Sequence, residues 1–230
     1  MSRRSLAPAA VAAIVSIAAA APAAADTRLS NERTFTRWAS AVVQARAFDR
    51  PSPEGRRVGR LRLLTEDGFP EVYILLAERE GWVRLRLPQR PNGVTGWVRR
   101  AALGPFTLVD TRLVVDRRAL RITLYEHGRR RFRARVGIGA PGTPTPRGAF
   151  WIREKFPVTG DPLYGTRAMG TAAYSDVLTD WPGGGVIGIH GTGQPELIPG
   201  RPSHGCIRIR NRDVERLYEL TPIGTPLRIK

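Results

Sequence analysis

Residues 81–88 read Gly-Trp-Val-Arg-Leu-Arg-Leu-Pro, with Val83, Leu85 and Leu87 at every second position and arginines between them. Successive side chains of an extended strand point to opposite faces, so this pattern suits a half-buried strand and not a helix. From residue 41 to 103 such short runs recur, broken by Gly and Pro, and Gly96-Trp97-Val98 reopens the pattern after the turn Pro91-Asn92-Gly93. Further on, Thr111-Arg112-Leu113-Val114-Val115-Asp116 and Ala119-Leu120-Arg121-Ile122-Thr123-Leu124-Tyr125 read as two strands joined at Arg117-Arg118, and Phe132-Arg133-Ala134-Arg135-Val136-Gly137-Ile138 alternates again. One stretch has a helical period. Within residues 212–220, Val214, Leu217 and Tyr218 fall at i, i+3 and i+4, with Asn211 placed as N-cap and Pro222 and Gly224 as stops. Pro226–Ile229 reads as a closing strand, so the chain is expected to be mainly β with one short helix near its C-terminus.

The first residues have another grammar. Arg3 and Arg4 precede an alanine-rich apolar stretch, and Ala23-Ala24-Ala25 stands before Asp26, the features of a secretory signal peptide over residues 1–25. Its most apolar part, residues 9–21, is shorter than the roughly 20 residues that span a bilayer, and no later stretch reads as a transmembrane span. The Arg3-Arg4 pair leaves Sec and twin-arginine export both open. The protein is therefore expected in the periplasm or cell wall. Its formal charge of +17 falls to +15 without the leader, and Lys155 and Lys230 are its only lysines. Such a surface attracts polyanions. Nucleic acid would be the first partner inside a cell, but export replaces it with anionic wall polymers and lipid head groups, and no nucleic acid is expected.

The remaining 205 residues suit one or two domains. Residues 26–39 read as a linker, residues 40–104 as a first domain, and residues 105–230 as a second, with the junction at Leu103-Gly104-Pro105. The first resembles bacterial SH3-like barrels over "VVQARAFDRPSPEGRRVGRL" and "GWVRLRLPQRPNGVTGWV". Trp82 and Trp97 could line a groove there, but core packing explains them as well, and they are given no site role.

Cys206 is the chain's single cysteine, so in an oxidising compartment it has no internal partner. In "SHGCIRIRN" period two puts Ile207 and Ile209 on the buried face and Cys206 with Arg208 and Arg210 on the other, which argues against a thiol used as core filler. In Val186-Ile187-Gly188-Ile189-His190 the histidine likewise lies opposite the isoleucines. If the two strands are neighbours, His190 and Cys206 share a polar face. A thiol with an ordinary pKa near 8.5 is only about 3% thiolate at pH 7, and an imidazolium beside it would make the thiolate dominant. Gly205 would let the chain turn behind the sulfur, with the Gly205 and Cys206 amides facing an oxyanion.

"IHGTGQPELIPGRPSHGCIRIRN", with "VGIGAPGTPTPRGAFWI" and "YGTRAMGTAAY" upstream, resembles the L,D-transpeptidases with a YkuD-type catalytic domain, over residues 106–230. The resemblance implies a β-sandwich-type catalytic domain, Cys206 as nucleophile and His190 as base, the Gly191 carbonyl orienting the imidazole, and supporting places for Ser203, His204 and Gly205. It places Arg208 and Tyr164 near substrate. It also implies peptidoglycan stem peptides as substrate, sensitivity to carbapenems, and no metal or other cofactor. Hydrolysis by water would make the enzyme an L,D-carboxypeptidase. Two readings from other classes compete: a zinc hydrolase with His190, His204 and Cys206 as ligands, and a wall-binding protein without catalysis.

Overall fold

The computed structural model describes residues 25–180 and 182–230; apart from Ala25, the expected leader lies outside them. The first sheet contains β1 (Thr27–Arg28), β2 (Thr36–Ser40), β3 (Arg46–Phe48), β4 (Arg57–Arg60), β5 (Val72–Arg79), β6 (Trp82–Arg86), β7 (Thr95–Arg99) and β8 (Thr107–Val109). Their order is β4-β3-β7-β6-β5-β2-β8, with β1 also pairing with β5. Val83, Leu85 and Leu87 are buried with Tyr73, Leu75 and Val98, while Arg84 is exposed. Both tryptophans are core residues. Trp82 meets Phe48 edge-on at 6.0 Å between centroids, and the Arg99 guanidinium covers it at 4.2 Å.

Two expected boundaries shift. Residues 26–39 are not a linker, because they carry β1 and most of β2, and β2 is hydrogen-bonded between β5 and β8. The pairing of β8 with β2 extends the first sheet to Val109, past residue 104.

The second sheet contains β9 (Thr111–Asp116), β10 (Arg121–Glu126), β11 (Arg129–Arg135), β12 (Gly137–Gly139), β13 (Gly148–Pro157), β14 (Arg167–Tyr174), β15 (Val186–His190), β16 (Gly200–Ser203), β17 (Ile207–Arg208) and β18 (Pro226–Ile229). Its order is β11-β10-β9-β18-β13-β14-β15-β17-β12-β16. Only Val136 separates β11 from β12, yet a flat ladder would hold them roughly 40 Å apart at the usual strand spacing. The ladder must therefore curl until its ends meet. One core results, in which Phe132 and Ala134 from one end share a cluster with Ile138, Ile187 and Ile207 from the other. In place of the two separate sheets of a sandwich, a single curled ladder supplies both faces. The helix α1 (Asn211–Leu220) lays Val214 and Leu217 on this core.

The two sheets share a third cluster of Val72, Ile74, Trp151 and Ala172, and the Trp151 indole N–H donates to the Val72 carbonyl at 2.7 Å. Beside it Arg153, 1% exposed, forks onto the fully buried Glu71 at 2.7 and 2.6 Å and reaches Glu66 at 2.8 Å. Arg62 joins the same two carboxylates from the first sheet, and the Tyr174 hydroxyl donates to Glu66 at 2.6 Å.

Candidate active site

β15 and β17 are parallel neighbours, with Ile189 opposite Ile207 and His190 opposite Arg208. Ile187, Ile189, Ile207 and Ile209 all face the core, which turns His190 and Cys206 to the other side of the sheet. Both line a cavity of about 360 Å³, with Tyr164, Met169, Asp67 and Glu154 among its other walls. Cys206 is half-buried, and its sulfur accepts the Gly188 N–H at 3.4 Å.

His190 is buried, with Nδ1 2.7 Å from the Gly191 carbonyl oxygen. A carbonyl can only accept, so Nδ1 carries the proton and the neutral ring keeps its lone pair on Nε2. The Tyr164 ring lies against the imidazole at 4.5 Å, tilted by 36°. A side chain at Gly191 would put its Cβ 2.3 Å from Asn211 Oδ1, the atom that accepts the Thr192 N–H at 2.9 Å. Asn211 is therefore not the N-cap expected of it. Arg210 occupies that position without a side-chain cap bond, and Asn211, the first helical residue, holds the 191–192 segment instead.

On the cysteine side, Gly205 has φ +125, and a Cβ there would meet Ile187 Cδ1 at 2.8 Å. The Ser203 hydroxyl donates to the Cys206 carbonyl at 2.6 Å and accepts the Gly205 N–H at 3.1 Å. The Gly205 amide expected to face an oxyanion is thus turned to Ser203. Thr145 adds a bond from its hydroxyl to the Gly205 carbonyl, 2.7 Å. Arg208 donates to Gln194 Oε1 at 3.2 Å, and its buried Nε has no hydrogen-bond partner among the described residues. His204 is exposed and is not among the cavity's lining residues.

The electrostatics differ from the expected ion pair. Burial pushes the Cys206 thiol up, against the pull of the Gly188 amide and Arg208. Burial also drives His190 down to about 4, with the Gly191 carbonyl opposing and Arg208 reinforcing. Both shifts favour the uncharged forms, a thiol and a neutral imidazole lining one cavity, because burial penalises either charge. Among the described residues no three His, Cys, Asp or Glu side chains are grouped to hold a metal ion, so His190, His204 and Cys206 do not form the zinc set considered above.

The first sheet reaches this cavity, which the sequence did not indicate. The turn at residues 65–68 brings Asp67 into the wall, where it meets Glu154 while the Thr65 hydroxyl donates to the same carboxylate. Burial raises the Glu154 carboxyl against that hydroxyl. Arg90, also from the first unit, donates to the carbonyls of Ser175, Leu178 and Gly184. No local pattern marks these residues, since their partners lie more than eighty positions away.

A family model described as the L,D-transpeptidase catalytic domain matches residues 110–229. The chain is 34% identical over 121 residues to a Bacillus licheniformis protein named as L,D-transpeptidase YkuD, covering 53% of this chain and 66% of that one. It is 32% identical over 111 residues to an Escherichia coli K12 protein named as L,D-transpeptidase ErfK/SrfK, covering 41% and 35%. The chain thus spans about two thirds of the first relative's length and about one third of the second's. Among solved structures, an Enterococcus faecium L,D-transpeptidase mutant is 26% identical with a TM-score of 0.41, over 52% of this chain and 49% of that one. A Mycobacterium smegmatis L,D-transpeptidase is 19% identical with a TM-score of 0.44, over 89% and 87%.

Proposed function

The chain belongs to the L,D-transpeptidase catalytic-domain family, and on that premise we propose that it is an exported cysteine acyltransferase acting on peptidoglycan stem peptides. The observation that carries the reading is that Cys206 and His190 line one cavity, with the imidazole's Nδ1–H tied to Gly191 so that Nε2 is left to accept a proton.

The Cys206 thiol passes its proton to His190 as the sulfur adds to the carbonyl carbon of the third stem residue. The Gly188 N–H at the sulfur steadies the charge that builds there. Collapse of the tetrahedral intermediate breaks the C–N bond to the terminal D-alanine, whose nitrogen takes the proton from His190, and a thioester remains. An amine from a second stem, or from a protein lysine, then adds to the thioester. Its proton moves through His190 to the departing sulfur, and the new amide is a 3–3 cross-link or a protein anchor. Water in place of the amine gives trimming. Tyr164 braces the imidazole, Ser203 and Gly205 shape the nucleophile's turn, and Arg208 takes a stem carboxylate, while the exposed His204 is given no part in the proton transfer. The first sheet, read as an SH3-like barrel, binds or positions the wall polymer.

The test is intact-mass measurement after incubation with a carbapenem. One covalent adduct is expected, mapped to Cys206 and absent from Cys206→Ala; an unmodified wild-type mass under conditions that acylate a related enzyme overturns the reading. Muropeptides from cells with and without the protein then separate the outcomes. Links between third-position residues report cross-linking, a lost tethered protein reports anchoring, and tripeptide accumulation alone reports trimming.

A further inference from the structure

A second cavity, about 570 Å³, opens where the β9–β10 turn meets the segments before β13 and within β16, and its walls include Arg117, Arg118, Arg147, Arg201, Lys230 and Asp116. The one carboxylate among these is already engaged. Asp116 pairs with Lys230 at 3.3 Å and accepts the Arg118 and Ala119 amides at 3.1 and 2.9 Å. None of Arg117, Arg118, Arg147 and Arg201 has a carboxylate partner among the described residues, and what sets them apart from the other unpaired arginines of the surface is that they line one concavity. Arg117 is half-buried and donates to the Thr145 carbonyl, which fixes its guanidinium in the wall. Like charges crowded into a concavity repel one another, and that repulsion falls when a multivalent anion enters. Burial first, and then the neighbouring Arg147 and Arg201 charges, disfavour the protonated Arg117.

We propose that this cavity is a binding site for a phosphate-bearing anion, held by Arg147 and Arg201 at its mouth and Arg117 in its wall. Phosphate suits it better than carboxylate does. Several unpaired guanidiniums face one space, a carboxylate brings a single charge, and the planar guanidinium fork matches adjacent phosphate oxygens. The site is separate from the catalytic cavity and does not depend on Cys206, although Thr145 links the two neighbourhoods, giving its carbonyl to Arg117 and its hydroxyl to Gly205.

Titration calorimetry of the full chain with inorganic pyrophosphate, at constant ionic strength, tests the proposal. Arg147→Ser with Arg201→Ser removes two charge-assisted contacts and is expected to weaken binding about 100-fold. Arg129→Ser with Arg130→Ser removes the same charge from exposed positions on β11 and should change it by no more than about twofold, as screened distant charges do. Arg147→Lys with Arg201→Lys keeps the charge, protects against misreading a folding defect, and should fall between. Equal weakening by both serine pairs, or no pyrophosphate binding by the wild type, overturns the proposal. Co-sedimentation with phosphatidylglycerol vesicles identifies the source. Sedimentation lost in the Arg147/Arg201 serine pair supports a phosphate on a lipid surface, and pyrophosphate binding without sedimentation supports a soluble one.

Discussion

At Cys206 and His190, the same burial that brings sulfur and imidazole to one cavity also removes their charges. The proposed enzyme must then make its nucleophile during the reaction, with His190 taking the thiol proton only as the carbon–sulfur bond forms. This has a measurable consequence. With His190 pushed down to about 4, the basic form persists well below the ordinary imidazole range, so carbapenem acylation should hold its rate from neutral pH to about pH 5 and fall only near 4. Iodoacetamide should react slowly at pH 7, since the thiol is raised. An acylation midpoint between 6 and 7 (roughly the unperturbed histidine value), or fast alkylation at neutral pH, would restore the ion pair expected from the sequence. The sign for stability follows from the depressed histidine. The unfolded chain binds the extra proton first, so the contribution of His190 is complete above about 6.5 and declines as pH falls toward 4, by about 3 kcal/mol in all.

The geometry of that histidine is set by neighbouring elements, chiefly by the start of α1. Asn211 Oδ1 takes the Thr192 amide and packs against Gly191, so the helix N-terminus holds the peptide whose carbonyl orients the imidazole. Asn211→Ala should therefore slow acylation at least about tenfold by loosening His190, while the lost hydrogen bond costs only about 1 kcal/mol of stability. Asn211→Asp keeps the acceptor oxygen and should recover most of the rate; wild-type acylation by the alanine variant would remove Asn211 from this role. The same residue shows where sequence reading stops. An asparagine ahead of a helical period looks like a cap, and only the fold supplies the competing donor, nineteen positions earlier. Alternation, by contrast, was legible because it is local: it assigned Ile187, Ile189, Ile207 and Ile209 to one face and His190 and Cys206 to the other before any strand had a neighbour. The parallel pairing of β15 with β17 and the curl that joins β11 to β12 depend on contacts between distant segments, and no period reports them.

Across the whole molecule the deciding feature is that neither sheet buries its own seam. Trp151 and Arg153, on β13 of the second sheet, are covered by Val72 and Glu71 of the first, and the 65–68 turn that carries Asp67 into the cavity of Cys206 and His190 belongs to the same contact. Separating the sheets would expose an indole and part the Arg153 guanidinium from both Glu71 and Glu66, so the two are expected to melt together in one calorimetric transition. Arg153→Ala leaves the fully buried Glu71 with Arg62 alone and should cost about 3–5 kcal/mol, whereas Arg153→Met with Glu71→Gln, which removes both charges, should cost much less. Glu66 gives the pH dependence. Burial would raise it, but Arg153, Tyr174 and Arg62 outweigh burial and hold it at about 2. Its stabilisation is thus complete above the ordinary carboxylate range near 4.5 and is lost as pH falls toward 2. Melting temperature measured from pH 5 to 3 should fall less steeply in Arg153→Ala than in the wild type, since much of the acid-labile pairing is already gone. Parallel acid slopes in both proteins would take the Arg153 pairing out of the acid dependence, and two resolved transitions in the wild type would mean that the sheets are stable independently and that the cavity wall supplied by the first is a movable part.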